Sequence, residues 1–157
     1  MKSPLAKAWR VNGALDLRLL AAMPEKALGD RFSPRTRTVA AQFAHIHNVR
    51  AYHLDKRAPA AGSGIRAFPR GAEPTRKELV KALRASESAI AELLEKAEAD
   101  GKVKGWPGPP AVFLGYLVSH ESHHRGQILV SLRVSGTEIP REAAYGLWDD
   151  WRKLSAE

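Results

Sequence analysis

The sequence predicts an all-α protein built as a four-helix bundle, and three observations lead there. Four long stretches carry apolar residues at helical spacing, Pro/Gly-rich segments separate them, and nothing reads as a set of alternating strands. With 157 residues, 44% of them hydrophobic, the chain is long enough to bury one core and too short to suggest two domains, so residues 1–157 are read as a single domain.

The first helix is expected from about Leu5 to Met23, with Trp9, Leu15, Leu19, Leu20 and Met23 as its apolar positions and Pro24 as its stop; Asn12-Gly13 is a candidate interruption. The second is expected to follow Ser33-Pro34, a cap with proline at the first helical position, and to reach about Leu54. Residues 58–74, rich in Ala, Pro and Gly, are long for a hairpin, which predicts a crossover loop spanning the bundle. The third helix opens on a capping box, Thr75 with Glu78, and Gly101 stops it. The fourth runs from about Ala111 to Val134 and is closed by Gly136. A short aromatic tail, "YGLWDDW", is expected to pack Tyr145, Leu147, Trp148 and Trp151 back on the bundle.

Composition removes several function classes. The chain has no cysteine, which excludes disulfides, thiolate metal sites and a thiol nucleophile, and leaves imidazole and carboxylate as metal ligands. No apolar run approaches the roughly 20 residues of a membrane span, and Asp16 and Arg18 interrupt what could pass for a signal segment, so a cytoplasmic protein without a membrane partner is expected. The net charge of +8 is dispersed through Arg31, Arg35, Arg37, Arg50, Arg57, Arg66, Arg70 and onward without interleaved aromatics, which argues against nucleic acid as a partner.

Chemistry concentrates in "HESHHRGQ", residues 120–127, which holds three of the six histidines. On the fourth helix Phe113, Leu117, His120, His124, Ile128 and Leu132 follow the helical period, placing two imidazoles in an apolar stripe where each needs a partner. Spacing of four residues brings both rings to one face, the arrangement by which a helix offers two nitrogens to one ion. "HESHH" also matches the H-E-x-x-H pattern of zincin proteases, but the chain lacks the strands that normally build their cleft. His123 lies on the helix flank, Glu121 points further away and is a poor general base, and Gln127 reads as an ordinary polar helix position. For a third ligand the second helix offers His45, His47 and His53. Periodicity places His47 and His53 nearer the face of Val39, Phe43, Ile46 and Arg50, and His45 on the flank with Ala41 and Tyr52.

The segments "AHIHNVRAYHL" and "HESHHRGQILVSLR", followed by "YGLWDDW", resemble the DinB/YfiT-like superfamily of metal-dependent proteins over most of the chain. In that family one histidine followed by a branched aliphatic residue comes from the second helix, and an H-x-x-x-H pair from the last long helix. The resemblance therefore implies His45, His120 and His124 as metal ligands, with His47 and His53 as neighbours. It departs at Asn48, where the family often carries an acidic residue. It further implies a divalent ion, zinc or nickel first among the ions that imidazole suits, and a homodimer. The implied activity is that of a metal-dependent S-transferase working on a small-molecule substrate with a low-molecular-weight, often anionic, thiol or with water. The anion is expected to meet Arg50 and Arg125 at the open end of the site. A binding or dimerisation module with a structural metal, or none, is the alternative.

Overall fold

A computed structural model describes residues 3–155, and among them every regular element is helical. The helices are α1 (Pro4–Ala22), α2 (Val39–Arg57), α3 (Arg76–Asp100), α4 (Pro110–Val134), α5 (Arg141–Tyr145) and α6 (Leu147–Ser155), with a 3₁₀ turn at Glu25–Gly29. Each long helix begins where its sequence can cap it. The Ser3 side chain accepts from the Ala6 amide and Pro4 fills the first helical position, Thr38 caps α2 through the Ala41 amide, and Thr75 and Glu78 cap α3 reciprocally. Gly101, at φ 69°, supplies the left-handed residue that ends α3.

Two expectations about the first half are corrected. Ser33-Pro34 does not start α2: Thr36 donates its amide to the Ser33 carbonyl and its hydroxyl receives the Ser33 amide, a closed turn, so the helix waits for Thr38. Asn12-Gly13 does not break α1. A Cβ at Gly13 would stand 2.5 Å from Cγ of Glu87, so this glycine serves the close approach of α3.

The core divides into two apolar clusters that fix the helix directions. One joins Leu19 and Leu20 of α1 to Val39 and Phe43 of α2, Leu79 and Leu83 of α3, and Ile128 and Leu132 of α4. The other joins Trp9 of α1 to Leu54 of α2, Ile90 and Leu94 of α3, and Phe113 and Leu117 of α4. The ends of α1 and α4 that meet the starts of α2 and α3 are C-terminal, so α1 and α4 run together and α2 and α3 run the other way. Because α2 and α3 are parallel, their connection must travel the length of the bundle, as the long crossover loop predicts. Two residues of α2 hold it: His47 Nε2–H donates to the Arg66 carbonyl (2.8 Å), and Asn48 accepts from the Phe68 amide (2.8 Å) while donating to its carbonyl (3.0 Å).

Between the clusters lies a buried layer of charge drawn from three helices. Arg50 donates to Glu121 through Nε (2.7 Å) and Nη2 (2.9 Å), to Asp16 through Nη2 (2.7 Å), and to the Leu83 carbonyl of α3 through Nη1 (3.1 Å). Arg125 donates to Asp16 (2.8 Å) and to Asn12 (2.8 Å), and Asn12 donates to Glu121. Two cations face two anions with their donors and acceptors matched, which is the condition for charges to be tolerated in a core. Burial, and then the charge of Glu121, push the Asp16 carboxyl up to about 7 despite both guanidinium groups. Arg50 and Arg125 are therefore structural residues and do not reach the open end of any site.

The tail packs only in part. Ala143 is buried, Leu147 and Trp151 are half-buried, and Arg18 of α1 forms an ion pair with Asp150, whereas Tyr145 and Trp148 are 50% and 62% exposed. No helix among the described residues is long and apolar enough to cross a membrane.

Candidate metal centre

α2 and α4 lie side by side, and where they meet His45, His120 and His124 converge, one potential ligand nitrogen from each lying within 4.8 Å of the others. The His45 and His120 Nε2 atoms are 3.3 Å apart, and the His124 ring centroid stands 4.6 Å from each of the other two. Among the described residues no carboxylate or further histidine joins this group.

The second contact of His124 decides which of its nitrogens is available. Its Nδ1–H donates to the Gln42 side-chain carbonyl (2.7 Å), leaving the Nε2 lone pair for the cluster. Gln42 is itself held, donating to Gln127 Oε1 (2.9 Å), and Gln127 donates to Nε2 of the exposed His123 (2.9 Å). The residues read as an ordinary polar position and a flank histidine thus form the outer end of a chain that orients His124. A glutamine on the buried side of α2, five residues before His47 and three before His45, is the signal in the sequence that marks it.

The cluster is electrostatically prepared to stay neutral. Burial, then the charge of Arg37 and then His120, bring His45 down to about 4, and burial followed by the neighbouring His120 and His45 brings His124 to about 3. His120 is lowered as well, by burial first and then by His123 and Arg37. Three neutral imidazoles at pH 7 present lone pairs without first releasing protons. Two Nε2 atoms 3.3 Å apart with a third ring beside them, and the buried Nδ1 of His120 without a partner, are a donor set suited to a cation.

The chain matches the sequence profile of the DinB family over residues 2–154. The chain belongs to the DinB family. No protein of curated function matches it in sequence. Among solved structures, a DinB-like protein from Bacillus cereus ATCC 10987 is similar in fold: the TM-score is 0.63 at 22% identity, covering 87% of this chain and 93% of the other.

In this DinB protein the remaining histidines turn elsewhere. His47, which periodicity favours, faces α3 and is satisfied by the Ser86 hydroxyl and the Arg66 carbonyl. His53 packs edge-on against Phe113 and Tyr116 in an aromatic group with Trp106. Glu121 departs from expectation most: it is 1% exposed and bound to Arg50 and Asn12 in the charged layer. The expected stripe of α4 is buried at Phe113, Leu117, His124, Ile128 and Leu132; half-buried His120 stands on its edge, and the stripe widens to take in Glu121 and Arg125.

Proposed function

We propose that His45, His120 and His124 hold a divalent metal ion, zinc or nickel, and that the protein is a metal-dependent enzyme of the S-transferase type acting on a small molecule with a low-molecular-weight thiol or water. The observation that carries this reading is the convergence of the three rings with the His124 Nδ1–H already committed to Gln42. A divalent ion bound there supplies Lewis acidity, making a thiol or a water molecule acidic near neutral pH.

The chain's own residues do the rest. His45 comes from α2 and His120 and His124 from α4, so the packing of those two helices sets the site, and the crossover loop clamped by Asn48 stands beside it. Gln42 fixes the tautomer and ring plane of His124. Three protein ligands leave further positions for substrate, the pattern of catalytic rather than structural zinc. Without cysteine, the chain has no thiol nucleophile of its own, which accords with an exogenous one.

The test is metal analysis of purified protein, followed by conjugation assays in which glutathione, bacillithiol and mycothiol meet electrophilic acceptors with the metal restored. Metal-dependent conjugation or hydrolysis supports the reading. Stoichiometric metal with no turnover in a broad panel favours a binding module, and the absence of metal affinity removes the reading altogether.

A further inference from the structure

Beside the three histidines, on the outer side of His45, lies a cleft of about 430 Å³, within the range of small-molecule sites. One wall is the face of α2 that carries Ala41, Ala44, His45 and Asn48, where two alanines leave room. The other is the crossover loop at Phe68–Ala72. That wall is built rather than loose. Asn48 pins Phe68 through both backbone groups, and the Ala72 amide donates to the Pro69 carbonyl across a turn whose third residue, Gly71, sits at φ 77°. The turn places Arg70 at its corner.

Two arginines line this cleft, Arg37 just before α2 and Arg70 on the loop. Among the described residues neither makes an ion pair or a side-chain hydrogen bond, so both charges are available to a ligand. Glu73, the nearest acidic residue along the loop, accepts from the Thr38 hydroxyl and does not line the cleft. Arg37 is also close enough for its charge to hold down the protonation of all three clustered histidines. An isolated exposed arginine is ordinarily a solvated one; two without partners across one cleft, with a candidate ligand histidine in its wall, are an anion trap.

We propose that this cleft is the substrate's anion subsite: Arg37 and Arg70 bind a carboxylate or phosphate group of a small molecule, and His45 marks the end at which its reacting atom lies. The assignment rests on the reading of the three histidines as the reacting centre, and it replaces Arg50 and Arg125 as the anion-binding pair.

The experiment has two arms on the full chain. In the first, metal-free protein is titrated with succinate and with inorganic phosphate while backbone amide NMR shifts are followed; the expected shifts fall at Ala41, His45, Gly71 and Ala72. Replacing both arginines, Arg37→Gln with Arg70→Gln, should weaken binding about tenfold or more, since two exposed charge-assisted contacts are lost. Ala41→Leu, which fills the cleft and keeps both charges, should weaken it as well. The anion that binds more tightly identifies the group.

In the second arm, cobalt-loaded protein is titrated with mercaptosuccinate and with 2-mercaptoethanol, read by thiolate-to-cobalt charge-transfer absorption. Mercaptosuccinate should bind about tenfold more tightly, and the double arginine variant should erase that preference while 2-mercaptoethanol binds as before. If cobalt and both thiols bind with no preference for charge, and succinate and phosphate binding ignores the arginines, the subsite is overturned and the metal reading stands. If cobalt does not bind but the anion shifts appear and vanish with the arginines, the metal reading falls and the anion cleft remains.

Discussion

Glu121 stands in a motif where it could pass for a catalytic base, and the structure makes it a core residue instead. The perturbation that separates the two is Glu121→Gln, nearly isosteric and uncharged. Glu121 accepts from Arg50 at 2.7 and 2.9 Å and from Asn12, so glutamine leaves one oxygen for three donors and turns an amide toward one of them. Breaking a buried ion pair from one side costs about 3–5 kcal/mol. Part is recovered, because Glu121 is, after burial, the main reason the Asp16 carboxyl is raised; without it Asp16 ionises more readily beside Arg50 and Arg125. The expected loss is about 2–4 kcal/mol, which for a chain of this size lowers the melting temperature by about 4–16 °C. The assay is thermal and urea denaturation of the metal-free protein, alongside metal stoichiometry, which the variant should keep. A melting temperature unchanged within about 1 °C together with lost metal or lost turnover would refute the structural assignment of Glu121.

Other expectations follow from the same geometry. Gln42→Leu should weaken metal affinity by about 10–100-fold, measured by competition with a chromophoric chelator, because His124 loses the acceptor that fixes its tautomer. Metal binding should persist to a lower pH than three unperturbed histidines, which compete with protons below about 6.5, would allow: His45 is lowered to about 4, His124 to about 3, and burial lowers His120 as well. Stability of the metal-free fold should rise between pH 4.5 and 6.5. His45, His53 and His124 have folded pKa values below their unfolded 6.5, so the unfolded chain binds more protons as pH falls; Asp16, raised from 3.8 to about 7, works in the opposite direction. Three protons against one leave about 2.7 kcal/mol per pH unit, to which His47 and His120, also lowered by burial, add and which the raised Glu87 opposes, and urea midpoints that fall on raising the pH through this window would contradict the assignment.

How far the sequence reaches can be judged from particular residues. Helix existence, the crossover loop and the α3 capping box are written in periodicity and in local side-chain chemistry, and the structure reproduces them. The start of α2 is misplaced because Ser33-Pro34 and Thr38 are both credible caps, and only the turn closed by Thr36 decides between them. Helical period alone places His47 nearer the core, correctly, but the core side faces Ser86 of α3, while the flank bearing His45 faces α4. Which neighbour a helix face meets is a tertiary fact, and only the family resemblance carried it. The charged layer is hard to read for a related reason: Asp16, Glu121 and Arg125 each look like a surface residue in its own segment, and only Arg50 shares a face with apolar residues. Their positions within core stripes, with balanced charge across three helices, are the signal that would have found them.

The proposed function requires that His45, His120 and His124 bind one divalent ion in the folded protein. The most direct measurement is metal content and metal-dependent melting of the wild type beside His45→Ala, His47→Ala, His120→Ala and His124→Ala. At free metal about 100 times its dissociation constant, binding adds roughly 2.7 kcal/mol, raising the melting temperature by about 5–11 °C. One ion per chain and this shift are expected in the wild type and in His47→Ala, apart from a lower starting stability where the loop clamp to Arg66 is lost, and neither in the other three variants. Metal retained by His45→Ala and lost from His47→Ala, or no shift in the wild type, would contradict it.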